Sequence, residues 1–146
     1  MTAMNIIDIE RTYSNWGNHC EQALAYTLTG EIRKHDHVPF FKDSDIPEYH
    51  MSVKSSGFTL ASAKVNHGNT FDEKLNDFTT RVVSDKFAYV TKEFIAYVMT
   101  LPEFVEFVKL FCYWDRESTQ NGGGYKIKCR NETKKMRAWL AANVAA

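Results

Sequence analysis

Asp45-Ile46-Pro47-Glu48-Tyr49-His50-Met51-Ser52-Val53-Lys54-Ser55-Ser56 is the stretch whose alternation governs how the chain is read. If residues 49–54 are extended, Tyr49, Met51 and Val53 point to one face and His50, Ser52 and Lys54 to the other, because successive side chains on a strand alternate. The first face predicts core. The second carries groups that can do chemistry.

Working outward, Ser55-Ser56-Gly57 reads as a turn into a second alternating segment, Phe58 to Val65. Upstream, Val38 to Phe41 is a short strand candidate whose Pro39 suits an edge or an irregular start. Before it, Ser14 can cap a helix in which Trp16, Cys20, Ala23, Leu24, Thr27 and Leu28 recur at three- and four-residue steps through about Ile32. Downstream, Asn66-His67-Gly68-Asn69 is a loop, and Thr70 with Glu73 forms a capping signal for a helix from Phe71 to about Val83. Phe87 to Thr91 reads as a strand. Lys92 to Thr100 and Pro102 to Trp114 read as two helices, the second with proline in its first turn. Gln120-Asn121-Gly122-Gly123-Gly124 is a break. After it, Tyr125, Ile127 and Cys129 alternate with Lys126, Lys128 and Arg130, predicting a last strand with a basic face, and Thr133 to Val144 is a terminal helix.

A chain of 146 residues is one ordinary domain, able to bury a core without metal or disulfide support. Its 44% hydrophobic and 14% aromatic content is that of a globular protein. Apolar stretches are interrupted by charge well short of the ~20 residues of a membrane helix, and the amino terminus has no secretory pattern; these features predict a cytoplasmic protein with no membrane partner. Cys20, Cys112 and Cys129 are odd in number and widely spaced, which predicts reduced thiols rather than a disulfide framework or zinc site. Net charge is zero, yet residues 122–146 set Lys126, Lys128, Arg130, Lys134, Lys135 and Arg137 against Glu132 alone, so this strand-helix segment is +5 and the remainder −5. Such asymmetry predicts an anionic partner for those six residues, with DNA foremost, although a solvated basic face would look the same.

A helix, a three-stranded meander, a helix and a returning strand, with Glu21, Asp45 and Ser52-Val53-Lys54 placed along them, resembles the core of the PD-(D/E)XK nuclease superfamily. The resemblance covers roughly residues 14–91 and is similar in style to small nuclease-like proteins of phages and mobile elements. It implies an α/β (α+β) domain of restriction-endonuclease-like type, with further helices and the basic strand-helix tail added after the core. It also implies a Mg-dependent endonuclease activity in which Glu21 and Asp45 hold magnesium and Lys54 stabilises charge near the scissile phosphate.

Ser52 departs from the pattern, which has an acid there, and Glu48 is the substitute ligand in reach of the same strand face. At ~3.3 Å per residue the two are ~13 Å apart, so Glu48 serves only if Pro47 bends the chain. Taken singly, Lys54 also reads as a surface lysine, Asp45 as a turn residue and Glu21 as a solvent-facing helix acid. Their joint order carries the nuclease-like reading. The rival is a catalytically degraded binding module that inhibits a nucleic-acid enzyme by contact with that protein target. His35-Asp36-His37 reads as a polar connection, and the glycine run lacks the ending of a phosphate loop.

Overall fold

A computed structural model describes residues 3–11, 15–32, 39–60, 70–115 and 126–144. The Ser14 cap, His35-Asp36-His37, residues 61–65, the Asn66 to Asn69 loop and the Gln120 to Gly124 break lie outside them. The protein is mixed α+β, with β1 (Ala3–Asn5), α1 (Trp16–Thr29), β2 (Met51–Ser55), β3 (Thr59–Leu60), α2 (Phe71–Arg81), β4 (Lys86–Val90), β5 (Ile95–Thr100), α3 (Leu101–Phe111), β6 (Cys112–Asp115), β7 (Lys126–Cys129) and α4 (Lys134–Asn143).

The strands form two sheets, ordered β1-β5-β4-β2 and β3-β7-β6. In the first, β2 runs parallel to β4, while β4 and β1 flank β5 antiparallel. Helix α1 covers one face: its Cys20, Ala23 and Leu24 cluster with Met51, Ala88, Val90 and Ala96. The other face buries Phe87, Tyr89 and Met99 against Leu75, Phe78, Phe104 and Phe107 of α2 and α3, Ile127 of β7 and Met136 and Leu140 of α4. Phe87 and Phe104 stack with centroids 4.5 Å apart. Both faces of β4 are buried, so its sequence reads as an unbroken apolar run.

Helix ends follow local chemistry. Asn15 accepts from the Asn18 amide at the start of α1, and Gly30, in the left-handed region at φ 78°, ends the helix two residues before Ile32. Thr70 caps α2 by accepting from the Glu73 amide, and Thr100 with Glu103 forms a reciprocal capping box on α3.

Three expectations are corrected. Lys92 to Thr100 is not a helix: Phe94, at φ 59°, closes a tight turn with Thr91, and Ile95–Thr100 returns as β5. Its side chains alternate between the two cores, Ala96 and Val98 toward α1 and Tyr97 and Met99 toward α3, and burial on both faces mimics a helical stripe. The helix expected to run to Trp114 stops at Phe111, and Cys112–Asp115 continues as β6. The three-stranded meander is not formed either. Residues 39–41 make a turn in which the Pro39 carbonyl accepts from Lys42 and Asp43. β2 and β3 enter different sheets, because Gly57 at φ 70° turns the chain away; a Cβ there would lie 2.9 Å from Asn131 Oδ1.

Candidate functional site

β2 is the edge of its sheet, with a neighbour on one side only. The strand begins at Met51 rather than Tyr49, since Pro47–Tyr49 is a single 3₁₀ turn and His50 takes a left-handed φ of 50°. This turn doubles the chain back, so that Ile46 bridges Met51 with hydrogen bonds in both directions, of 2.9 and 3.3 Å. Asp45 is thereby laid beside the open edge of β2, where its Oδ2 accepts the Val53 amide at 2.7 Å. A sheet-edge N–H that would otherwise face solvent is satisfied by a carboxylate.

Lys54 pairs in register with Tyr89 and so rises on the face opposite α1, its ammonium 5.9 Å from the Phe58 ring. Glu21 comes from α1 on the other face. Glu21 thus stands across the sheet from the Lys54 face, and the three charges act on one another through space: Asp45 and Lys54 on Glu21, Asp45 and Glu21 on Lys54. Burial, reinforced by the Asp45 charge and opposed by Lys54, pushes the Glu21 carboxyl from 4.5 up to about 8. Burial lowers the Lys54 pKa, against the pull of both carboxylates. The three residues singled out in the sequence are therefore one electrostatic unit, held by a helix, a turn and a strand edge.

Ser52 and Glu48 are placed otherwise. Ser52 is buried, and its hydroxyl lies 2.7 Å from Ser84 Oγ, which is 2.6 Å from Ser44 Oγ. These three serines tie the Asp45 turn to β2 and to the start of β4. Glu48 is exposed on the 3₁₀ turn. The bend at Pro47 is real, but it brings Asp45, not Glu48, alongside Val53. Among the described residues no group of three or more His, Cys, Asp or Glu is placed to hold a metal ion. The carboxylate that lies at the edge by hydrogen bond is that of Asp45.

The basic segment is divided. Lys126 and Lys128 project from β7 on the face opposite the buried Ile127 and Cys129. Arg130 lies 5.0 Å over the Tyr113 ring, and Lys134 and Lys135 are exposed on the first turn of α4. Arg137 is committed internally: it donates to Glu132 at 3.1 Å. Glu132, to which the sequence reading assigns no role, has a side chain with no exposed surface; it also accepts the Lys92 amide at 3.1 and 3.3 Å, while its own amide donates to Ser56 Oγ at 2.8 Å. A signal for it exists in the sequence, since one acid alone among six cations is a natural internal counter-charge. Through Ser56, this residue docks the basic segment against the end of β2.

His19 of α1 is buried between Trp16 and Phe94, with Nε2 3.5 Å from Asp8. No helix of the described residues is long and apolar enough to cross a membrane. Comparison with protein-family models, curated proteins and solved structures gives no match to the chain.

Proposed function

We propose that this protein is a DNA-engaging, nuclease-like protein whose reaction is divalent-metal-dependent phosphodiester hydrolysis at the β2 edge. The observation that supports the reading is the hydrogen bond from the Val53 amide that fixes the Asp45 carboxylate beside the β2 edge, one residue before Lys54, with Glu21 of α1 within electrostatic range of both. Functional sites are where burial and like charges are combined to shift pKa values, and two carboxylates sharing a partly desolvated space with one lysine fit that description.

The donor set fits magnesium, which takes hard oxygens and often needs only one or two protein carboxylates beside water and substrate phosphate. Such an ion supplies charge neutralisation on the phosphate and a lower pKa for an attacking water. The protein's own groups have distinct tasks. Asp45 is held in place by the Val53 amide, which donates to its Oδ2. Glu21, whose carboxyl is raised by burial to about 8, would give up its proton on binding a cation, so binding through it would be favoured at higher pH. Lys54, steadied against Phe58, places a positive charge where a phosphoryl oxygen gains negative charge. Lys126, Lys128, Lys134 and Lys135 supply sequence-independent contacts to the backbone of DNA.

One observation favours a second reading, a non-catalytic module that blocks a nucleic-acid enzyme by protein contact. Ser52 is locked into the serine chain, so no carboxylate comes from the strand itself. Plasmid nicking with magnesium or manganese, combined with calorimetric manganese titration, separates the two. The parent is expected to bind manganese and nick DNA; Asp45→Asn is expected to lose both, and Lys54→Ala to keep metal binding but lose nicking by at least about 100-fold. A folded parent that neither binds manganese nor nicks DNA rejects the hydrolase and leaves the binding module.

A further inference from the structure

The sequence spacing of the three cysteines fits no disulfide framework, yet the fold sets two of them face to face. Cys112 in β6 is the cross-strand partner of Cys129 in β7. The type of pair follows from the hydrogen bonds around it. The Arg130 amide donates to the Phe111 carbonyl at 3.1 Å, which makes 111 and 130 a hydrogen-bonded pair. The next pair, 112 and 129, is then the non-hydrogen-bonded kind, and the Cys129 amide accordingly points to the other neighbour, donating to the Phe58 carbonyl at 2.8 Å. Non-hydrogen-bonded partners have Cα atoms about 4.5 Å apart, within the ~4.4–6.8 Å that a disulfide spans.

We propose that Cys112 and Cys129 are a reversible dithiol that forms a cross-strand disulfide by exchange with a small-molecule disulfide of the glutathione class. The register of β6 and β7 already sets the two residues directly opposite each other, at the backbone spacing that a disulfide spans. Their exposures differ in the useful sense: Cys112 is half-buried and reachable by a small reagent, whereas Cys129 is only 1% exposed. Cys112, as thiolate, attacks one sulfur of the reagent, forming a mixed disulfide and releasing one glutathione thiolate. Cys129, as thiolate, then attacks the Cys112 sulfur, forming the internal bond and releasing the second. The protein dithiol is oxidised by two electrons, the reagent is reduced to two thiols, and the two protein protons end on them. The hydrogen bond to Cys129 and burial both raise the Cys112 pKa, so exchange is slow and speeds up with pH. Cys20, fully buried under α1 in the other core, takes no part. The bond fixes β7, with Lys126 and Lys128 on its opposite face, to the strand that follows α3.

The test equilibrates the full chain in graded glutathione buffers at about pH 8, quenches with acid, alkylates under denaturing conditions and reads intact mass and linked peptides. At the oxidising end the expected species has lost two hydrogens, is alkylated at Cys20 alone, links the Cys112 and Cys129 peptides, and melts roughly 5–10 °C higher than the reduced chain. Three alkylated cysteines, a glutathione adduct that never resolves, or a bond to Cys20 would each overturn the proposal. Cys112→Ser carries the control: the rise in melting temperature should vanish in it, and a rise that survives would also overturn the assignment.

Discussion

Glu132 and Glu21 are both acids withdrawn from water, and they have opposite surroundings. Glu132 is sealed completely, with two bonds from the Lys92 amide and an ion pair to Arg137. Glu21 is partly buried beside a second carboxylate, and its cost of burial shows as a proton affinity raised to about 8. A charge whose desolvation is offset by donors and a cation serves the fold. A carboxyl whose burial raises its proton affinity, with a like charge acting on it, is the kind of group that functional sites collect. The contrast separates the structural acid of this protein from the one assigned to its chemistry.

The strongest way to break the contrast is to remove the structural acid. Glu132→Ala strands the Lys92 amide and the Arg137 guanidinium, and is expected to cost about 3 kcal/mol in urea denaturation, with Glu132→Gln costing less because an acceptor oxygen is kept. A loss below ~0.5 kcal/mol for Glu132→Ala would mean that the ion pair is incidental.

Glu21 should behave in the reverse way, and pH exposes it. Its folded pKa lies above the ordinary 4.5, so between those values the folded chain holds a proton that the unfolded chain has released. This contribution to stability is complete below about 4.5 and declines as pH rises toward about 8. Glu21→Gln removes it, so the parent should lose stability relative to the variant across that window, most visibly at its alkaline end. Parallel pH profiles for parent and variant would place the Glu21 carboxyl in an ordinary, well-solvated setting.

Ser52 sharpens the comparison on the polar side. Ser52→Ala leaves Ser84 one partner short in a buried chain and is expected to cost about 1 kcal/mol by denaturant titration. Ser52→Glu, which would supply the missing family acid, forces a charge into that chain and should destabilise more than Ser52→Ala. If it were tolerated and strengthened manganese binding, the buried serine chain would be dispensable and the edge site adaptable.

Much of this is legible in the residues themselves, and the failures have a common cause. The cap at Thr70 and the stripe of α1 are local signals, readable because a few neighbouring residues determine them, whereas the stop at Gly30 and the cap at Thr100 pass unread, Thr100 reading as the end of a helix. β5 reads as a helix because a strand buried on both faces has no polar–apolar alternation. The partition of β2 and β3 into separate sheets and the meeting of Cys112 with Cys129 depend on pairings between distant segments, which no local period encodes. For the candidate site, Glu21, Asp45 and Lys54 are singled out through a resemblance in element order, and that order is not the one found, since β2 and β3 enter different sheets. The agent that lays Asp45 beside Val53, a left-handed His50 after a 3₁₀ turn, is visible in the sequence only as a bend at Pro47, which reads there as a way to bring Glu48 to the place of the acid missing at Ser52.

The smallest expected effect concerns charges that remain in water. Lys126 and Lys128 on β7, and Lys134 and Lys135 on α4, are half-buried or exposed, and none is needed to offset a buried partner as Arg137 is for Glu132. Replacing the four by glutamine should therefore leave stability within about 0.5 kcal/mol of the parent. The effect belongs in DNA affinity: each phosphate that is no longer neutralised reduces the slope of log K against log salt by about 0.9 on duplex DNA. Arg137→Gln should show the opposite pattern, lower stability with little change in slope, because its guanidinium is already committed to Glu132. Fluorescence anisotropy with a labelled duplex across a salt series measures the first effect and denaturant titration the second. An unchanged slope in the fourfold variant would move the DNA-binding surface away from the basic segment, and the absence of any duplex binding by the parent at low salt would turn this surface toward an acidic protein partner.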